Sequence, residues 1–167
     1  MKILIVINGA PCVGKDTICD IVGRHYPTIN VSSVDIVKKI ARECGWDGVK
    51  DTQGRKFLSD LKALLSDFND LPNRSVLDVA EKFKEGLDTG TPEVMFVHIR
   101  EIPEIEKFKE ATGAKTLLVR RPGHGNVGNV SDDNVENYRY DWIFENNGDL
   151  DGLDTVFMRF FNEHIAG

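Results

Sequence analysis

Cysteine is scarce in this chain, and the few present form no framework. Cys12, Cys19 and Cys44 are odd in number and lack metal-site spacing, which argues against a disulfide scaffold and a structural zinc site and leads us to expect a reduced, cytoplasmic chain. Long apolar runs are also missing. The longest near the start, Ile3 to Ile7, is far shorter than the apolar region of a signal peptide or a membrane span. Massed positive charge is absent too: 21 Lys and Arg stand against 27 Asp and Glu, a formal net charge of −6, and the basic residues are scattered. A nucleic-acid polymer or a membrane surface would want a basic stripe, so neither is expected as a partner. A small anion is a different matter, because a few cations converging in one cleft suffice. No Ser/His/Asp or Cys/His arrangement is readable, and His25, His124 and His164 show no partner spacing.

What is present suits one globular domain. Its 167 residues, 41% apolar and 29% charged, can bury a core without staples, and nothing suggests a repeat, a linker or a second domain. Residues 2–7 (KILIVI) are a continuous β-rich apolar run, the pattern of a strand buried on both faces. A glycine-bearing turn follows, then a helix over about 15–25. A second short strand ends at 30–32, and helices are expected over 34–44, 55–70 and about 75–85. The 55–70 segment is the cleanest amphipathic pattern, with Phe57, Leu58, Leu61, Leu64, Leu65 and Phe68 on one face, and Pro72 helps end it. Further strands are expected over 94–99, 116–119 and 142–144, with helices over 103–111 and 153–165. Strands alternating with helices imply a mainly parallel, five-stranded sheet covered on both faces. Ligands then collect beyond the carboxyl ends of the strands.

The densest chemical signal follows the first strand. Gly9, Ala10, Pro11, Cys12, Val13, Gly14 and Lys15 are spaced as GxxxxGK and are followed by Asp16 and Thr17. Glycines let the backbone curl so that successive N–H groups surround phosphate oxygens. The helix that begins there aims its unpaired N–H groups at the same anion. Lys15 supplies a cation for the β- and γ-phosphates. The full motif places Ser or Thr directly after the lysine to hold Mg²⁺; here Asp16 takes that position and the hydroxyl arrives at Thr17. Asp16 has two readings: a ligand of Mg²⁺, directly or through water, or an acidic residue favoured at a helix N-terminus. Asp16 and Thr17 are therefore the candidate metal residues.

Other cations lie where an acceptor would bind. Asp35 follows the second strand, and Lys38 and Arg42 share a helix face, either an anion site or a solvated surface. Arg100 ends the third strand, where its fork of donors can clamp a phosphate or pair with Glu104. Arg120 and Arg121 end the fourth strand, a glycine-rich loop (122–130) follows, and Arg139 comes after it. Arginines on a closing loop would neutralise the γ-phosphate during transfer. The candidate catalytic set is Lys15, Arg100, Arg120 and Arg139.

Several segments together resemble the deoxynucleoside monophosphate kinases of phages and bacteria, within the broader nucleoside monophosphate kinase fold. The GKDT cradle (14–17) is similar to that family's. So are Gly45-Trp46-Asp47-Gly48-Val49-Lys50-Asp51 with Gly54-Arg55, the stretch from His98 through Glu104, and Tyr140-Asp141 through Leu150. The resemblance implies a three-layer P-loop NTPase fold with an acceptor-binding helical region at about 33–90 and a lid at about 120–139. It implies ATP with Mg²⁺ as donor and a (deoxy)nucleoside monophosphate as acceptor. Acceptor contacts are expected from Asp35, Lys38, Arg42, Trp46, Arg55, Arg100 and Glu104, and an adenine region from Arg120, Asn146, Asn147 and Gly148. His98 stands where the family has Asp, and Glu101 where it has an aromatic residue. A kinase of another metabolite such as dephospho-coenzyme A, or a nucleotide-binding regulator or ATPase, stays open. Homodimer formation is a further expectation.

Overall fold

The computed structural model describes residues 2–86, 91–123, 134–148 and 150–167. Five strands, β1 (Ile3–Asn8), β2 (Thr28–Ser32), β3 (Val94–His98), β4 (Lys115–Arg120) and β5 (Trp142–Glu145), form one sheet in the order β2-β3-β1-β4-β5. Every pairing is parallel: Ile3 lies beside Val94, Ile7 beside Leu117, Ser32 beside His98 and Arg120 beside Glu145. The helices are α1 (Lys15–His25), α2 (Asp35–Glu43), α3 (Thr52–Asn69), α4 (Leu71–Glu85), α5 (Ile102–Thr112) and α6 (Leu150–Phe160), and α6 continues into a π turn, Phe161–Ile165. A short 3₁₀ turn, Val135–Asn137, was not anticipated.

The strands alternate between two cores, as the period of two along a strand requires. Ile5, Ile7, Phe96, Leu117 and Val119 face Ile18, Ile21 and Val22 of α1 together with Phe157 and Phe161. Leu4, Val6, Met95 and Val97 face the other way, onto Val76, Ala80 and Phe83 of α4 and Ile105 and Phe108 of α5. Burial on both faces explains why the β1 sequence is apolar throughout.

Several expectations need correction. The helix 55–70 begins at Thr52, because the Asp51 side chain accepts from Gly54 N at 2.7 Å and caps it. Its apolar stripe is largely uncovered: Phe57 is 37%, Leu64 66% and Phe68 80% exposed. Helix α3 packs chiefly against α2 and α4 rather than on the sheet, so its amphipathic pattern does not mark a buried face. Pro72 does not end that helix. Asp70, at φ 58°, serves as C-cap of α3 and N-cap of α4, and Pro72 occupies the first turn of α4, where its missing N–H costs nothing. Finally, α6 begins at Leu150, ahead of the expected 153.

Much of the expected lid, residues 124–133, lies outside the described residues, as do 87–90 of the helical region. Among the described residues no helix is long and apolar enough to cross a membrane.

Candidate active site

The turn between β1 and α1 is set by contacts that admit only small residues. A Cβ on Gly9 (φ 147°) would lie 2.4 Å from the Val119 carbonyl oxygen, and one on Gly14 (φ 98°) would lie 2.8 Å from Asn146 Nδ2. Cys12 also adopts a left-handed conformation, φ 62°, which lets the chain curl between the two glycines. Asn8 anchors the entry. Its Oδ1 accepts from Gly9 N at 2.8 Å, while its Nδ2 donates to Tyr140 OH at 3.0 Å and to the Arg100 carbonyl at 3.3 Å. Burial pushes the Tyr140 hydroxyl up to about 12, against the opposing hydrogen bond from Asn8, so this anchor stays neutral across the ordinary pH range.

At the exit, Gly14 is the N-cap of α1 and supplies no side-chain cap, which leaves the helix N–H groups to a ligand. Lys15 folds over the loop, with Nζ 2.6 Å from the Gly9 carbonyl and 2.7 Å from that of Ala10. Asn146, 2% exposed, donates from Nδ2 to the Val13 carbonyl at 2.9 Å, and its own N–H bonds Arg120 O at 2.7 Å. The segment after β5, expected near adenine, is thereby tied to the phosphate loop. Asn146 Oδ1 is buried without a hydrogen-bond partner among the described residues. Asn147 and Gly148 are exposed beside it.

A cavity of about 800 Å³ opens beyond the carboxyl ends of β1, β2 and β3. Pro11, Cys12, Lys15 and Asp16 line its donor side, and Asp35, Lys38 and Arg100 its far side, as the sequence leads one to expect. Asp35 Oδ2 accepts from Ser32 N at 2.7 Å, and its Oδ1 lies 3.7 Å from Lys38 Nζ. Two cations that sequence reasoning missed, Lys50 and Lys62, join this wall together with Leu58. Lys62 is one helical turn from Leu58 and shares its face, the one signal that could have found it.

Other expected acceptor residues lie outside the cavity. The Arg42 guanidinium sits 5.5 Å from the Trp46 ring centroid, and Trp46 Nε1 donates to Val49 O at 3.0 Å. Arg55 Nε donates to Lys50 O at 2.8 Å, and Glu104 pairs with Lys62 at 2.9 Å. The Gly45–Arg55 segment is thus a knotted turn that presents Lys50. It closes so tightly that a Cβ on Gly54 would meet Val49 O at 2.2 Å. Thr17 is half-buried outside the lining set. Arg120 is held by Glu136, 2.8 Å from Nε, and Glu145, 3.3 Å from Nη1, and Arg139 is exposed; neither lines the cavity.

His98 ends β3 inside the cavity wall, with Nε2 2.6 Å from Asn30 Oδ1 and 3.9 Å from Cys19 Sγ. Burial lowers its pKa below the ordinary imidazole value, and Lys15 and Lys38 add to this against Asp16 and Asp35. The ring is therefore neutral near pH 7. No group of three His, Cys, Asp or Glu able to hold a metal occurs among the described residues. Asp16 offers a single carboxylate beside Lys15 in the cavity. That donor set fits Mg²⁺ arriving with a nucleotide's phosphates, since Mg²⁺ takes one or two carboxylates plus phosphate and water oxygens.

No protein-family model matches this chain, and no curated protein matches it. Solved structures do. Dephospho-CoA kinase from Campylobacter jejuni superposes with a TM-score of 0.59 at 14% identity, covering 99% of both chains. Shikimate kinase from Aquifex aeolicus gives 0.58 at 13% identity, covering 99% of this chain and all (100%) of that one. TT1252 from Thermus thermophilus gives 0.54 at 19% identity over 97% of each. With the parallel sheet, the helices on both faces and the phosphate loop after β1, these likenesses show that the chain has the α/β fold of the P-loop kinases.

Proposed function

We propose that this protein is a kinase that transfers the γ-phosphate of ATP to a small phosphorylated acceptor, a (deoxy)nucleoside monophosphate. One observation carries the reading: the phosphate loop and a second set of cations, Lys38, Lys50, Lys62 and Arg100, line the same cavity. A hydrolase or a nucleotide-binding regulator needs only the first set. Two cationic walls facing one space suit two anions brought together for transfer.

In this reading the N–H groups of residues 12–15 and the start of α1 hold the donor's phosphates, and Lys15 leaves the Gly9 and Ala10 carbonyls to bind them. Asp16 would hold the Mg²⁺ that accompanies the nucleotide, and the ion would supply positive charge against its phosphates. Lys38, Lys50, Lys62 and Arg100 orient the acceptor phosphate. An oxygen of that phosphate attacks the γ-phosphorus in line; the bond to the β–γ bridging oxygen breaks and ADP leaves with the electron pair. A phosphate monoester is largely ionised at neutral pH, with a second pKa of about 6, so the attacking oxygen needs no general base. A hydroxyl acceptor would need one. His98, neutral near pH 7, and Glu101 both line the cavity and could serve as that base, so the phosphate acceptor rests on the cations of the far wall.

A second reading changes only the acceptor's body. Among the described residues no Phe, Tyr or Trp lines the cavity, whose apolar wall is aliphatic (Val34, Val37, Leu58 and Ile99 among others). A nucleobase would find only the His98 ring to stack on among the described residues, which favours a phosphorylated metabolite without one. ADP formation from ATP and Mg²⁺ measured across nucleoside monophosphates, deoxynucleoside monophosphates and phosphorylated non-nucleotide metabolites separates the readings. Turnover with monophosphate nucleotides supports the first reading, turnover with non-nucleotides alone supports the second, and ADP formation independent of any acceptor overturns both.

A further inference from the structure

The apolar stripe of α3 has a property that covering by an unrelated surface would not require. Of the 18 residues of α3, Gly54 alone is fully buried. Phe57, Leu64 and Phe68 are 37%, 66% and 80% exposed, and Leu61 between them is half-buried. At about 100° per residue the four fall within roughly 60° of arc, in a line about 16 Å long. Their exposed side chains amount to on the order of 300 Å², the scale at which an apolar patch on a monomer is often functional.

The stripe reads identically in both directions: Phe57-x3-Leu61-x2-Leu64-x3-Phe68. A two-fold axis perpendicular to the helix, opposite the midpoint between Leu61 and Leu64, exchanges Phe57 with Phe68 and Leu61 with Leu64. Isologous contacts demand this self-complementarity, because each residue must meet its symmetry counterpart. The flanking charges do not mirror one another about that midpoint, but the same operator brings them close. Lys56, Asp60 and Asp67 lie in one row beside the stripe, and the two-fold sets Asp67 of one copy opposite position 58 of the other, about 3 Å along the axis from both Lys56 and Asp60, twice. Lys56 bonds Asp60 within its own helix, while Asp67 has no hydrogen-bond or ion-pair partner among the described residues.

We infer that two copies of this chain pair antiparallel through α3, with Phe57 against Phe68 and Leu61 against Leu64, framed by two Lys56–Asp67 ion pairs. A standard interface buries about 800 Å² per partner. The stripe supplies under half of that. The charged row and the exposed Val49 just before α3 (54%) extend the contact, so the dimer is dissociable rather than permanent. The inference goes beyond the expectation of a homodimer by naming its surface, and it stands whether or not the kinase reading does.

Sedimentation equilibrium of the full chain over a wide concentration range tests it. The mass is expected to rise reversibly from one chain, 18.7 kDa, to two. Leu64→Glu, at a position too exposed to disturb folding, should give a monomer at every concentration with an unchanged circular dichroism spectrum. Lys56→Asp and Asp67→Lys should each weaken the dimer about tenfold or more, since two ion pairs become two repulsions, and the double variant should recover it. A wild-type chain that stays monomeric, a dimer indifferent to Leu64→Glu, or a double reversal no better than its parents would overturn the inference.

Discussion

Asn146 Nδ2 donates to the Val13 carbonyl at 2.9 Å and lies 2.8 Å from where a Gly14 Cβ would stand. The loop after β5 thereby holds the phosphate loop open from behind, and glycine at position 14 is what makes room for it. Asn146→Ala leaves the Val13 carbonyl buried and unpaired, a loss of about 1–2 kcal/mol. The expected results are a Tm lower by roughly 5 °C and a raised KM for ATP with the acceptor KM unchanged. A variant with both KM values at the wild-type level would show that Asn146 does not position the loop.

Lys62 and Glu104 form the acceptor wall's internal ion pair at 2.9 Å, both largely buried, with side-chain exposures of 20% and 24%. A bound phosphate would compete with Glu104 for Lys62. Removing the cation in Lys62→Ala should raise the acceptor KM about 10- to 100-fold, the range of one charge-assisted hydrogen bond, and leave the ATP KM near wild type. Glu104→Gln frees Lys62 and should hold or lower the acceptor KM. If Glu104→Gln instead weakens the acceptor as much as Lys62→Ala does, Lys62 reads the acceptor only through its position and not through its charge.

Asp16 lines the cavity beside Lys15, and its two readings separate on magnesium. As a metal ligand its loss in Asp16→Asn should raise the Mg²⁺ concentration needed for half-maximal ATP binding, measured by calorimetry, by about tenfold. As a helix N-terminal residue its loss should lower stability by about 1 kcal/mol at most and leave the magnesium titration where it was.

The phosphate loop was legible because everything it needs is local: glycines at positive φ, a lysine at the first helical residue and a strand before it. The Lys15–His25 helix ends where the sequence placed it for the same reason. The acceptor wall was legible only in part. Lys38 and Arg42 share a helix face in the sequence, yet Lys38 reaches the cavity while Arg42 stacks on Trp46 four residues on, and periodicity says nothing of which neighbour stands over a face. Lys50 enters the site because Trp46, Asp47 and Asp51 knot the chain around it, a tertiary fact with no periodic signature. The α3 stripe shows the same limit. A moment along a helix reports that one face is apolar, not that the fold covers it.

Asp141 joins the start of β4 to the segment entering β5, and its chemistry makes the junction sensitive to acid. Its carboxylate accepts from Thr116 N at 2.9 Å, Thr116 Oγ1 at 2.8 Å and Lys109 Nζ at 3.1 Å, and its N–H donates to Thr116 Oγ1 at 2.9 Å. Burial works to raise its pKa, but the bonds from Thr116 and Lys109 outweigh it and hold the carboxyl below the usual carboxylate range. A depressed folded-state pKa means stability that is fully present above the unfolded value, about 3.9, and lost as pH falls through the lower folded value. Asp141→Asn removes the charge and one acceptor set, so at neutral pH it should cost about 2 kcal/mol, a Tm lower by roughly 4–8 °C. The gap between wild type and variant should narrow as pH falls below about 4, because the wild-type carboxyl then protonates too. Thermal denaturation of both proteins from pH 7 downward gives the comparison. Curves that stay parallel through the acid limb would mean that Asp141 holds this junction by shape alone.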